Sequence, residues 1–171
     1  MPRSDYRQAL RATRVLEFLS AFDPHVAGTP PLGLDLAGSD IDIVCHAPEA
    51  HAFAETIWAH FRDLDGFALR QWTGSGCPVI AAFRAHGWDF ELFRAAEPVA
   101  AQPGWRHFVQ ERRLLALGGD VLRLQVMALR RAGMKTEPAF AATLGIGGDP
   151  YEALLAIETL PDEALIELFL R

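Results

Sequence analysis

The sequence predicts an α+β fold: a mixed sheet flanked by helices, followed by a C-terminal helical region. Three observations carry this. Residues 40–45 alternate acid and aliphatic, the period of a two-faced strand, and three more strand-like runs follow. Amphipathic helical patterns stand on either side of the 40–45 run. After Pro98 the strand pattern stops and only helical patterns continue. The expected organisation is therefore an α/β core over 1–98 and a helical region over 99–171, packed on the core as one unit.

Residues 4–21 read as the first helix, with Ser4 as N-cap and Leu10, Val15, Leu16, Phe18 and Leu19 as its apolar stripe. Pro24 ends it. Residues 24–39 are rich in Gly and Pro and read as loop, with short strands around 25–28 and 33–36. Pro48 opens a second helix that runs to Arg62, with Phe53, Ile57, Trp58 and Phe61 facing inward. Strands are expected at 67–73, 78–84 and 88–93, the last two joined by a hairpin-like Ala85-His86-Gly87. Helices are expected at 104–117, 120–132, 137–144, 150–158 and 161–170, with glycines or Pro161 at the breaks.

A chain of 171 residues, half of them hydrophobic and 22% charged, can bury its own core and does not have the composition of a disordered segment. The net charge of −6 disfavours general binding to nucleic-acid backbone, which needs clustered cations. A local basic patch remains open, from Arg106, Arg112, Arg113, Arg123, Arg130, Arg131 and Lys135. Cys45 and Cys77 form no disulfide framework or metal knuckle. Two thiols and a charged N-terminal stretch predict a reducing, cytoplasmic setting, and no apolar run is long enough for a bilayer.

The chemistry concentrates between Gly28 and Ile43. Asp40 and Asp42 are two apart on a predicted strand, so both carboxylates project from one face while Ile41 and Ile43 fill the other. Two acids aimed at one place need a proton, a basic partner or a divalent cation. An all-oxygen set suits Mg²⁺ or Mn²⁺. Upstream, Gly28 and Thr29, with Gly33 shortly after, can offer backbone N–H groups and a hydroxyl to a phosphate. An Asp-x-Asp pair by itself is also common as a turn cap or a solvated strand face. A second alternating strand, Trp88 to Phe93, offers a third carboxylate, with Glu91 the first choice and Asp89 the second.

These segments resemble the nucleotidyltransferase superfamily that shares the polymerase-beta-like fold. Its pattern is a hydrophobic residue, Gly with Gly or Ser, about ten residues, then acid-hydrophobic-acid-hydrophobic. Ala27-Gly28-Thr29, residues 30–39 and Asp40-Ile41-Asp42-Ile43 match it, with Ser39 in the position of the superfamily's Ser. More closely, the chain resembles a bacterial nucleotidyltransferase-like family, domain-of-unknown-function family 4269. The matching segments include 28–45, 90–93, 98–102, 107–115, Met134 through Ala141 with its Lys-Thr-Glu-Pro-Ala-Phe-Ala run, and 148–151. The resemblance implies a nucleotidyltransferase-type sheet and a metal–nucleotide site. Asp40, Asp42 and Glu91 would hold the metal and carry catalysis, and Gly28, Thr29, Ser39 and Lys135 would bind nucleotide. Gln102, His107 and Glu111 resemble a second polar patch of the family. Two departures stand out: Thr29 replaces the usual Ser while keeping the hydroxyl, and Leu32, in a turn stiffened by Pro30-Pro31, occupies a position where related small nucleotidyltransferases often carry Arg.

Each of these residues also has a plainer reading. Thr136 and Pro138 are helix-start residues, with Thr136 the expected N-cap. His107 and Glu111, four apart, could simply bond within or between helices. Gly74-Ser75-Gly76 lacks the helix and Lys of a phosphate loop. Trp72, Trp88 and Trp105 could stack a base or fill the core. The leading expectation is an enzyme that moves a nucleoside monophosphate from a nucleoside triphosphate to a hydroxyl acceptor. The alternative is an inactive nucleotidyltransferase-fold binding or regulatory protein, antitoxin-like, with a protein partner. A metal-dependent phosphohydrolase is a third.

Overall fold

The computed structural model describes residues 3–74 and 76–169; Ser75 and Leu170, both considered above, lie outside them. Contacts divide the chain into two compact units. The first takes in the chain up to Pro31 and Ala37–Trp105, the second Leu32–Leu36 and the chain from Arg106 onward.

The first unit contains α1 (Tyr6–Thr13), α2 (Val15–Phe18), β1 (His25–Ala27), β2 (Ile41–His46), α3 (Ala50–Phe61), β3 (Asp65–Gln71), β4 (Val79–Ala85) and β5 (Trp88–Ala95). Its sheet, among the described residues, has the order β1-β2-β5-β4-β3. β2 and β5 run parallel, and the other neighbours are antiparallel. The sheet is therefore mixed, as expected. Alternation along the strands sends Ile41, Ile43 and Cys45, Phe90 and Leu92, and Val79, Ala81 and Phe83 to one buried face. There they join Ala9, Leu10, Val15 and Leu19 of the first helices and Phe53, Ile57 and Phe61 of α3 in one core. Phe61, Phe83 and Phe90 stack through that core, with successive ring centroids 4.9 Å apart.

Four local expectations are corrected. Trp58, expected to face inward with Phe53, Ile57 and Phe61, is 55% exposed on α3. The helix expected over 4–21 breaks at Arg14, whose φ is 54°, and the break lets Val15 and Leu19 reach the same core as Ala9 and Leu10. Its N-cap is Asp5, which accepts from Arg7 N at 2.9 Å, while the Ser4 hydroxyl donates to His86 O at 3.2 Å. Residues 33–36 form no strand. After a 3₁₀ turn at Pro30–Leu32, the carbonyls of Leu32 and Leu34 accept from the Arg123 and Arg130 guanidinium groups instead of from a neighbouring strand.

The second unit is helical: α4 (Pro103–Arg131, beginning in the first unit), α5 (Thr136–Thr143), α6 (Pro150–Ala156) and α7 (Asp162–Phe169). The two helices expected at 104–117 and 120–132 are the two halves of α4, broken at Gly119, whose backbone is not helical (φ 58°, ψ −150°). Thr136 is not the N-cap of α5. That position is Lys135, and the Thr136 hydroxyl accepts from Arg130. Asp149 does cap α6, accepting from Tyr151 N and Glu152 N at 3.0 Å ahead of Pro150. The arginines read as a basic patch are largely engaged inside this unit. Arg106 pairs with Glu158, and Arg113 binds Asp162 and the carbonyls of Glu158 and Leu160. No described helix is long and apolar enough to cross a membrane.

Candidate functional site

The face of the sheet opposite the core carries the acids. In the parallel β2–β5 pair Asp42 lies beside Glu91, and in the antiparallel β1–β2 pair it lies beside Ala27. Residues paired across strands share a face, so Asp42 and Glu91 project together. Asp40 lies just before β2 and is exposed; Asp42 is half-buried and Glu91 exposed. The Glu91 carboxyl holds its proton more tightly than an ordinary carboxylic acid, first because neighbouring groups desolvate it and second because Asp40 adds negative charge. Asp42 and Glu91 thus share one face of the sheet, and Asp40, one residue before β2, is near enough to act on Glu91 through its charge.

Gly28 lies directly against Asp42. Its φ is +73°, and a Cβ there would overlap Asp42 Oδ2 and come within 3.0 Å of Cγ. Both the backbone angle and the space demand glycine. Thr29 follows, half-buried, and leads into the 3₁₀ turn. Leu32, the position read as lacking an Arg, is buried at 4% exposure.

Asp89 shares the face of Glu91 but has its own cation. Arg84 Nε lies 3.0 Å from its Oδ1, and Arg84 also reaches Asp65 at 3.3 Å. Arg84 was not singled out in the sequence. Counting back from the Ala85-His86-Gly87 turn would have placed it opposite Asp89.

Among the described residues, no three His, Cys, Asp or Glu side chains converge closely enough to hold a metal ion by themselves. The donor chemistry nevertheless fits Mg²⁺ or Mn²⁺. Such ions are commonly held by one or two carboxylates, with waters and substrate phosphates completing the shell. The glycine that clears space beside Asp42 leaves one such carboxylate next to the turn.

Ser39, Gln102 and His107 have hydrogen-bond partners of their own. Ser39 O accepts from Arg3 Nη2 at 2.5 Å. Lys135 is the N-cap of α5, in the helical unit. Gln102 is buried in the sheet unit, its amide donating to Cys45 O at 3.0 Å and Glu97 O at 2.9 Å. His107 Nε2 lies 3.0 Å from Tyr151 O. Glu111 is buried, and its carboxyl is pushed well above the usual range by burial and then by Glu137, against an opposing pull from Arg130. Of the tryptophans, Trp88 is buried, Trp72 is exposed, and Trp105 lies with its ring 4.8 Å from that of His25. Cys45 is buried, its thiol pushed up to about 12 by burial and then by Asp23, which leaves it inert as a nucleophile.

Residues 8–157 match the family described as a domain of unknown function, DUF4269. The chain belongs to this family. No curated protein matches the sequence. Among solved structures, the chain is similar to the Cid1 poly(U) polymerase with MgGTP bound, at a TM-score of 0.58 and 13% identity, over 90% of this chain and 48% of that one. It is also similar to the GLD-2/RNP-8 complex, at a TM-score of 0.58 and 12% identity, over 98% of this chain and 76% of that one. A cytoplasmic RNA terminal U-transferase matches at a TM-score of 0.53 and 15% identity, over 91% and 47%. The chain thus spans about half the length of the poly(U) polymerase. At such identities the likeness shows the fold, which is that of the nucleotidyltransferases.

Proposed function

We propose that this chain is a Mg²⁺- or Mn²⁺-dependent nucleotidyltransferase that moves a nucleoside monophosphate from a nucleoside triphosphate to a hydroxyl acceptor. The observation that carries this reading is Asp42 packed on Gly28 and paired in register with Glu91. Asp40 and Asp42 would hold the cation. Bound there, it supplies charge neutralisation on the triphosphate and on the attacking oxygen. Gly28 and Thr29 orient the phosphates through backbone N–H groups and the hydroxyl. Glu91 would take the acceptor proton or complete the cation's shell. The acceptor oxygen bonds to the α-phosphorus, the bond from that phosphorus to the bridging oxygen breaks, and pyrophosphate leaves. Asp89, neutralised by Arg84, is left out of this set. The solved neighbours described with MgGTP and MgATP lend support.

Buried Leu32 favours a second reading, a nucleotide-binding regulatory protein without turnover, because its aliphatic side chain offers phosphate no charge where related small nucleotidyltransferases often carry Arg. Calorimetric titration with each nucleoside triphosphate, with and without Mg²⁺, separates the two when paired with a pyrophosphate-release assay over protein, small-molecule and RNA-end acceptors. Mg²⁺-dependent binding that Asp42→Asn abolishes, together with pyrophosphate release, supports the enzyme. Binding without release supports the regulatory protein. Absence of binding in the parent chain removes both.

A further inference from the structure

We propose that Arg3 is a positioning residue: the segment before α1 is a strap that holds the Ser39-Asp40 peptide in place. The inference rests on the proposed cation site, since it concerns how Asp40 is presented to that site.

Asp40 needs outside support. It precedes β2 by one residue, so no strand ladder fixes it, and it follows an irregular, glycine-containing loop. A hydrogen bond reaches its neighbour from far away in sequence, as Arg3 Nη2 donates to Ser39 O at 2.5 Å. Arg3 is itself anchored on the β4–β5 hairpin. Its guanidinium lies over the Trp88 ring, 3.2 Å from the centroid. Trp88 is 3% exposed, and its indole N–H donates to Ser4 O at 2.8 Å. Tyr6 meets the same ring edge-on at 6.5 Å, and Ser4 Oγ bonds His86 O. Gly87 leaves room for the strap, since a Cβ there would come within 3.2 Å of Arg3 Cα. The strap therefore ties three things together: the start of α1, the hairpin beginning the strand that carries Glu91, and the loop that ends in Asp40. A planar, multi-donor guanidinium can stack and donate at once, which is what this position uses.

The test compares the full chain with Arg3→Ala and Arg3→Lys. In nucleoside triphosphate titrations at varied Mg²⁺, Arg3→Ala should need about tenfold more Mg²⁺ for half-maximal binding, the size expected for one hydrogen bond from a charged group. Its unfolding midpoint without Mg²⁺ should fall modestly as the stacking on Trp88 is lost, and Arg3→Lys should recover part of the Mg²⁺ affinity. A merely structural role would shift the midpoint and leave the Mg²⁺ requirement alone; an unchanged requirement in Arg3→Ala overturns the proposal. If the parent chain binds no nucleotide, the functional reading fails. The strap is then judged by amide exchange over residues 39–42: faster exchange in Arg3→Ala sustains it, and equal exchange overturns it.

Discussion

At Gly28 a single added methyl group would collide with the Asp42 carboxylate, in a backbone conformation that L-residues avoid. Gly28→Ala should weaken Mg²⁺–nucleotide binding at least about tenfold while costing roughly 1–2 kcal/mol of stability. Calorimetry and thermal unfolding on the same preparation check both. The two acids of β5 should separate equally cleanly. Glu91→Gln is expected to lower turnover about 100-fold or more, the usual weight of a positioned proton acceptor. Asp89→Asn should leave turnover within about twofold, because it removes only one end of an exposed pair with Arg84. Equal loss in both variants would sink the distinction between them.

Among the elements, the stacked rings of Phe61, Phe83 and Phe90 tie α3 to β4 and β5, and so set the strand that carries Glu91. Phe90→Ala should cost about 3–5 kcal/mol, read as a lowered denaturant midpoint. In α4, Glu111 gives a pH signature. Burial raises its affinity for a proton in the folded state above that in the unfolded chain. Stability from this group is therefore complete below the unfolded value and is lost as pH rises through the folded one. The parent chain should unfold more easily at pH 8 than at mildly acidic pH. Glu111→Gln should flatten that slope and gain on the order of 1 kcal/mol at pH 8. Thermal melts across pH decide it, and an unchanged slope would show that Glu111 does not titrate in this way.

For the molecule as a whole, net charge and arginine usage point the same way. The chain carries −6, and Arg106, Arg113, Arg123 and Arg130 are engaged in bonds within the helical unit. Single-stranded RNA should bind weakly, with a Kd above about 10 µM at physiological salt. Tight binding in a gel-shift titration would reverse the preference for a small-molecule or protein acceptor. The fold was largely legible because periodicity is a local property. Alternation revealed β2, β4 and β5, and the ten-residue spacing from Gly28-Thr29 to Asp40 tied the turn to the acid pair. Pairings across distance were not legible in this way. Ser4 read as a cap because its neighbours look helical, yet a carbonyl of the distant hairpin claims its hydroxyl. Residues 33–36 read as a strand, yet Arg123 and Arg130, from the second unit's long helix, take the carbonyls of Gly33 and Leu34. By itself the sequence determined the strands, the helices and the acid pair behind a glycine turn, since these are written in spacings along the chain; the mixed character of the sheet was implied by the superfamily resemblance. Only the tertiary structure decided that Asp42 rests on Gly28, that Glu91 lies beside it while Arg84 holds Asp89, and that Arg3 grips the peptide before Asp40. Those depend on strand register and long-range hydrogen bonds, which no local pattern encodes.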